Sequence, residues 1–238
     1  MSARWRAVAV VFHGNRVRRM TDFSDLHAIP VLLLQGFGST RLSLSILEKR
    51  LRTDGYHVFS LRLGGWFGTL NTRAMDTIAQ HVLGKIAGLR ERFHLPRIHI
   101  IGHSKGGLIA RYLVSCLGGD AHVATVITLG TPHQGIPPAH LRRVTPFGIF
   151  MKSIRQMNPR SPFFQRLAAH AIPPTVRCVS IASAADTVVP PQLAQLPTPA
   201  GAEHCSNVEV AGLTHTDFLL KATAYHIIRR YLPVDNST

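Results

Sequence analysis

Ser104 stands in the pentapeptide Gly102-His103-Ser104-Lys105-Gly106. A serine hydroxyl is a weak nucleophile at neutral pH. It needs exposure, a base beside it and donors for a developing oxyanion. The flanking sequence supplies the exposure. An apolar run, Arg97–Ile101, precedes the motif and a helical pattern, Leu108–Val114, follows it. A sharp strand-to-helix turn there presents the hydroxyl, and its glycines let strand and helix pass closely. The plain alternative is an ordinary turn with Ser104 as a helix N-cap.

The rest of the chain offers the missing partners. Asp186 ends a strand-like run in Ser183-Ala184-Ala185-Asp186-Thr187-Val188-Val189-Pro190, and His215 follows the next one in Gly212-Leu213-Thr214-His215-Thr216-Asp217. Serine, then acid, then histidine is the chain order this motif calls for. His215 would take the Ser104 proton and return it to the leaving group. Asp186 would hold the imidazole tautomer and stabilise its charged form. His204 precedes the last strand and His226 lies within the C-terminal helical pattern, so both are weaker bases. Asp217 is a rival acid, but at two residues from His215 its side chain faces elsewhere on a helix. The expected oxyanion donors are two backbone N–H groups, those of Lys105 and of Phe37. The second lies in Gln35-Gly36-Phe37-Gly38, after the strand-like run Val31–Leu34. A dinucleotide-binding glycine loop is excluded there, because Arg41 occupies the place of the third glycine.

These residues need a scaffold that brings strand ends to one edge. Strands are predicted at Pro30–Gln35, Tyr56–Leu61, Arg97–Gly102, Val123–Leu129, Thr175–Ala182 and Asn207–Ala211. Helical patterns fall between them, near Thr40–Asp54, Thr72–Phe93, Lys105–Leu117 and Thr214–Tyr231. This alternation predicts an α/β fold, a mostly parallel sheet with helices on both faces. The stretch from Ile136 to Pro174 breaks the rhythm, with prolines and large apolar residues and helical fragments expected at Gly148–Met157 and Pro162–Ala169. We read residues 136–174 as a cap insertion over the site, with Phe147, Phe150, Met151, Met157 and Phe163 as substrate-binding candidates; the alternative is a helical excursion packed on the sheet. The whole chain is expected to form one domain, residues 1–28 being a basic segment without an assignment.

Composition narrows the class. A length of 238 residues, 45% hydrophobic content and mean hydropathy of +0.11 fit one packed core. The longest apolar runs, such as Ile29–Leu34, fall short of a membrane span. Ala7–Phe12, after Arg4 and Arg6, is short for a secretion signal, so secretion is not expected and a cytoplasmic location is. Cys116, Cys178 and Cys205 lack metal-site spacing and are expected as free thiols, with a Cys178–Cys205 disulfide left open. No metal or cofactor is expected. A net charge of +15 favours anionic partners, but its arginines are scattered. Peripheral contact with an anionic membrane is therefore allowed and specific nucleic-acid binding is not expected.

Taken together, Gly102–Gly107, the Gly36-Phe37-Gly38 turn and the phrases around Asp186 and His215 resemble the α/β-hydrolase superfamily, and within it the bacterial triacylglycerol lipase/esterase group. Leu129-Gly130-Thr131-Pro132-His133-Gln134-Gly135 is similar to the GTPHxG segment of those lipases, and Arg155–Pro162 to a cap segment. The likeness runs from about residue 29 to 232. Two departures stand out: Gln35-Gly36 where His-Gly is frequent, and Lys105 where Met, Gln or Leu is commoner. The resemblance implies an α/β-hydrolase fold with a helical cap and a serine carboxylic-ester hydrolase that acts on apolar acyl esters or lipids. An acyltransferase, thioesterase or polyester depolymerase could use the same three residues. A non-catalytic lipid or partner binder is the reading least compatible with a full Ser-Asp-His set.

Overall fold

The computed structural model describes residues 30–37, 41–60, 73–144, 151–198 and 201–233. Among the described residues, six strands form one sheet: β1 (Pro30–Leu34), β2 (His57–Ser60), β3 (Ile98–His103), β4 (Val123–Leu129), β5 (Arg177–Ser183) and β6 (Cys205–Val210). Every pairing is parallel and the order is β2-β1-β3-β4-β5-β6. The chain runs from β1 outward to β2, then crosses back to place β3 on the other side of β1. That reversal opens a crevice beyond the carboxyl ends of β1 and β3, where open α/β sheets bind ligands.

Alternation along the strands divides the core in two. Leu32, Leu34, Ile98, Ile100, Val126 and Cys178 face one helical layer. Val31, Leu33, Ile101, Ile127, Leu129, Val179 and Ile181 face the other. The second layer holds α1 (Ser45–Thr53), which follows a 3-10 turn at Arg41–Leu44, and also α8 (Asp217–Leu220) and α9 (Ala222–Arg229). Leu47 and Leu51, one turn apart, form the buried stripe of α1. The first layer holds α2 (Met75–Phe93) and α3 (Lys105–Cys116). In α2, Met75, Ile78, Ala79, Val82 and Ile86 are buried at helical spacing. Every residue of α3 from Lys105 to Val114 is buried, because that helix lies beneath the rest of its layer.

The remaining helices lie beyond β4. They are α4 (Pro138–Val144), α5 (Lys152–Arg155), α6 (Pro162–Ala168) and α7 (Pro191–Ala194). Ser161 caps α6 by accepting from the Phe164 N–H, and Pro162 occupies the first turn, where its missing N–H costs nothing. No helix among the described residues is long and apolar enough to cross a membrane.

The predicted strands fall within two residues of the observed ones, while the C-terminal helix differs. Instead of one helix over Thr214–Tyr231, α8 and α9 are separated at Lys221, whose backbone is extended (φ −77°, ψ 142°). The break lets Phe218 and Leu219 enter the core from α8 and Ala224, Tyr225 and Ile228 from α9. One straight helix would carry these residues around its axis.

Candidate active site

Ser104 joins β3 to α3 with φ 53° and ψ −122°, one of two non-glycine residues among those described with positive φ. Its side chain makes no cap hydrogen bond, so the ordinary N-cap reading fails. The strain persists because the surroundings leave no alternative. The Ser104 N–H donates to the Leu129 carbonyl at 2.9 Å, and the Thr131 hydroxyl donates to the Ser104 carbonyl at 2.9 Å. Strand and helix approach too closely for side chains. A Cβ on Gly102 would lie 2.6 Å from the Gly107 Cα, and one on Gly106 would lie 2.3 Å from the Leu34 carbonyl oxygen.

Asp186 sits three residues beyond β5 and is 1% exposed. Its Oδ1 accepts from the N–H groups of Val188 and Val189, both at 2.9 Å. Its Oδ2 lies 2.7 Å from His215 Nδ1. A carboxylate so buried needs its charge satisfied, and two backbone donors and one imidazole meet that need. The contact orients His215 with Nδ1 toward the acid and leaves Nε2 for proton transfer. His215 is held from its own side as well, since Leu213 N–H donates to the Ser183 hydroxyl oxygen at 3.1 Å.

Phe37 follows β1 at the crevice, and no hydrogen bond engages its N–H among the described residues. Lys105 begins α3, where N–H groups point along the axis toward the elbow. Its side chain is fully buried, with Nζ 5.5 Å from the centre of the Phe37 ring. Burial lowers the ammonium from its usual range to about 7. The two residues expected to supply oxyanion N–H groups are thus packed against each other through their side chains.

The rivals lie elsewhere. His204 stands at the start of β6, the opposite edge of the sheet, with Nε2 3.0 Å from the Ile172 carbonyl. His226 is exposed on α9. Asp217 caps its own turn, with Oδ2 accepting from Thr214 N–H at 2.9 Å and facing Lys221 Nζ at 3.0 Å. Cys116, Cys178 and Cys205 are free thiols, although Cys178 and Cys205 are register partners on β5 and β6.

The candidates of the insertion divide. Phe147 and Phe150 lie outside the described residues. Met151 is half-buried and packs at the edge of the larger core. Met157 and Phe163 are inside that core, and the Phe163 ring stacks on Tyr112 of α3 at 4.8 Å. The insertion is tied down further by Gln156, whose Oε1 accepts from Met75 N–H at 2.6 Å and so caps α2. Its described part is therefore integral to the first helical layer.

Two roles escape sequence reasoning. Leu129–Gly135 acts as a brace: it holds the elbow through Leu129 and Thr131. Its His133 is buried with Nε2 2.8 Å from the Thr128 hydroxyl and accepts through its carbonyl from Arg111 Nη1 at 3.1 Å. His103 is buried beside His215, a role that its place inside the motif hides.

Known proteins share this architecture. The chain is similar in fold to a lipase of Bacillus licheniformis, BlEst2 in mature form, at TM-score 0.67 and 14% identity, covering 86% of this chain and 91% of the other. It is similar to lipase B of Aspergillus fumigatus at TM-score 0.69 and 15% identity, covering 88% and 54%. The fold is the α/β-hydrolase fold. In sequence, a triacylglycerol lipase of Pseudarthrobacter phenanthrenivorans is 26% identical over 112 residues, 44% of this chain and 34% of the relative. Triacylglycerol lipase 2 of Saccharomyces cerevisiae is 33% identical over 92 residues, 37% and 27%. The chain spans about a third of the length of the curated relatives it matches. The family profile described as palmitoyl protein thioesterase matches residues 30–172, more than half of the chain, including the elbow but neither Asp186 nor His215. On that match, the chain belongs to the palmitoyl protein thioesterase family.

Proposed function

We propose that this protein hydrolyses carboxylic esters of apolar acyl chains through an acyl-enzyme on Ser104. The observation that carries the reading is the buried Asp186–His215 contact of 2.7 Å at the sheet edge where the elbow turns. Ser104 Oγ attacks the acyl carbon as His215 Nε2 takes its proton. The N–H groups of Phe37 and Lys105 receive the oxyanion. Collapse releases the alcohol with the proton from His215. Water, deprotonated by His215, then frees the acid and restores Ser104. Met151 and the insertion around it select the acyl chain in this reading, with Met157 and Phe163 supporting it from the core.

A second reading, thioester hydrolysis by the same residues, is favoured by the family match. A thiolate is a good leaving group and needs less help from the imidazolium, so the same site serves both. The test is a panel of short- to long-chain p-nitrophenyl esters and matching acyl thioesters, run on the protein and on Ser104→Ala. Both activities should disappear in the variant, along with fluorophosphonate labelling. Unchanged ester and thioester turnover in Ser104→Ala would overturn both readings, and the ratio of the two activities in the unaltered protein decides between them.

The same reading includes peripheral contact with an anionic membrane. Among the described residues, the exposed large hydrophobics are Ile46 (42%) and Leu220 (43%). Ile46 lies in the first turn of α1 and Leu220 ends α8, helices that start from the loops of Phe37 and His215. From Ile46 a groove of about 410 Å³ runs along α1 past Lys49, Arg50, Thr53 and Asp54 to Tyr225. A cytoplasmic location belongs to this reading too, supported by three thiols left unpaired.

A further inference from the structure

His103 closes β3 and is 3% exposed. Its Nε2 lies 2.8 Å from the backbone carbonyl oxygen of His215. A carbonyl can only accept, so Nε2 carries the proton and donates. The two rings also touch, with centres 4.6 Å apart and planes tilted by 47°. The other ring nitrogen, Nδ1, has no hydrogen-bond partner among the described residues. It faces the turn after β1, where a Cβ on Gly36 would lie 3.2 Å from it and 2.9 Å from the Ser104 Cβ. His103 therefore contacts the oxyanion turn on one side and the base on the other, and it is bonded to the nucleophile.

We propose that His103 is a positioning residue that fixes His215 relative to Ser104 through its hydrogen bond to the His215 carbonyl. The inference rests on the ester-hydrolase reading of the site. Asp186 fixes the direction of the His215 ring but grips only its far nitrogen. The residue sits on a loop after an edge strand, where the Leu213 N–H bond to the Ser183 hydroxyl ties the loop to β5 and not to the strand of the nucleophile. The bond from His103 ties that loop to β3, the same strand that carries Ser104, so base and nucleophile share one reference frame. A neutral ring with one fixed tautomer suits the task, and burial keeps it neutral by lowering its titration to about 3. A cation in its place would repel the imidazolium that His215 becomes during the reaction. The unsatisfied Nδ1 is the cost of using a histidine here: a donor is needed on one edge only, and the other edge must stay flat against Gly36.

The experiment compares His103→Leu, His103→Gln and His103→Asn, each checked for folding by thermal melting. Glutamine places an amide donor near the position of Nε2, leucine keeps the volume without a donor, and asparagine is too short to reach. His103→Leu should lower kcat about 10²-fold with KM within about twofold, the size of effect that misplacing a reacting group produces. Fluorophosphonate labelling of Ser104 should slow in parallel, and His103→Gln should recover most of both. If His103→Leu fails to fold, the comparison of His103→Gln with His103→Asn carries the test, the former being the faster. Equal kcat in those two, unchanged kcat in His103→Leu, or a rise in KM alone would overturn the proposal. Absence of turnover and labelling in the unaltered protein would instead overturn the ester-hydrolase reading beneath it.

Discussion

Lys105 is next to the candidate nucleophile in sequence, yet its side chain turns inward, where none of its surface reaches water. Lys105 opens α3, whose residues from Lys105 to Val114 are all buried. Burial brings the amine from 10.5 to about 7. Between those pH values the unfolded chain keeps a proton that the folded protein has shed. Unfolding then takes up a proton, so stability rises with pH from about 7 to 10.5. Below pH 7 the folded protein buries a cation and the penalty is complete. Lys105→Met should therefore raise the urea midpoint clearly at pH 6 and less at pH 9.5; an equal gain at both would contradict the linkage. Ser104, Asp186 and His215 could be proposed from the sequence because each follows a strand-like run in the order the motif calls for, and the structure brings Asp186 and His215 into contact at 2.7 Å. His103 could not, because its partner is a carbonyl 112 positions away, and no side-chain pattern encodes a backbone acceptor.

At the scale of elements, the central strands were legible because both their faces are buried, which writes a continuous apolar run into the sequence. The edge strand β6 has exposed and half-buried residues and begins two residues before its expected start, at Cys205. The insertion shows the limit more sharply. Prolines and large apolar residues fit both a cap and a packed layer, since each must cover apolar surface. Contact decides: Phe163 stacks on Tyr112, and Arg166 Nη1 donates to the Tyr112 hydroxyl oxygen at 3.0 Å. Phe163→Ala should cost about 3–5 kcal/mol of stability, as other large-to-small core changes do. The check is equilibrium denaturation together with the acyl-chain profile. A stable variant with altered chain preference would assign Phe163 to the substrate instead of the core.

For the whole molecule, a charge of +15 acts over distances that no single contact sets. It favours accumulation near an anionic surface, and the proposed membrane contact would use the exposed Ile46 and Leu220. Binding to vesicles containing phosphatidylserine should exceed binding to phosphatidylcholine vesicles and weaken as salt rises, because screening shortens the reach of the charges. Ile46→Asp should weaken it further at constant charge on the rest of the protein. Salt-independent binding, or none, would remove the membrane from the proposed function.

The sequence by itself determined the parallel α/β sheet, the strained turn and the order of serine, acid and histidine. These depend on local rules, burial periodicity and glycine at close approaches, which leave marks in adjacent residues. Only the tertiary structure decided that Ser104 does not cap its helix, that Lys105 lies under Phe37, that much of the insertion is core and that His103 bonds the loop of His215. The last three of these join positions far apart in the chain. The free energy that selects them comes from contacts formed only once the sheet has brought its strand ends together.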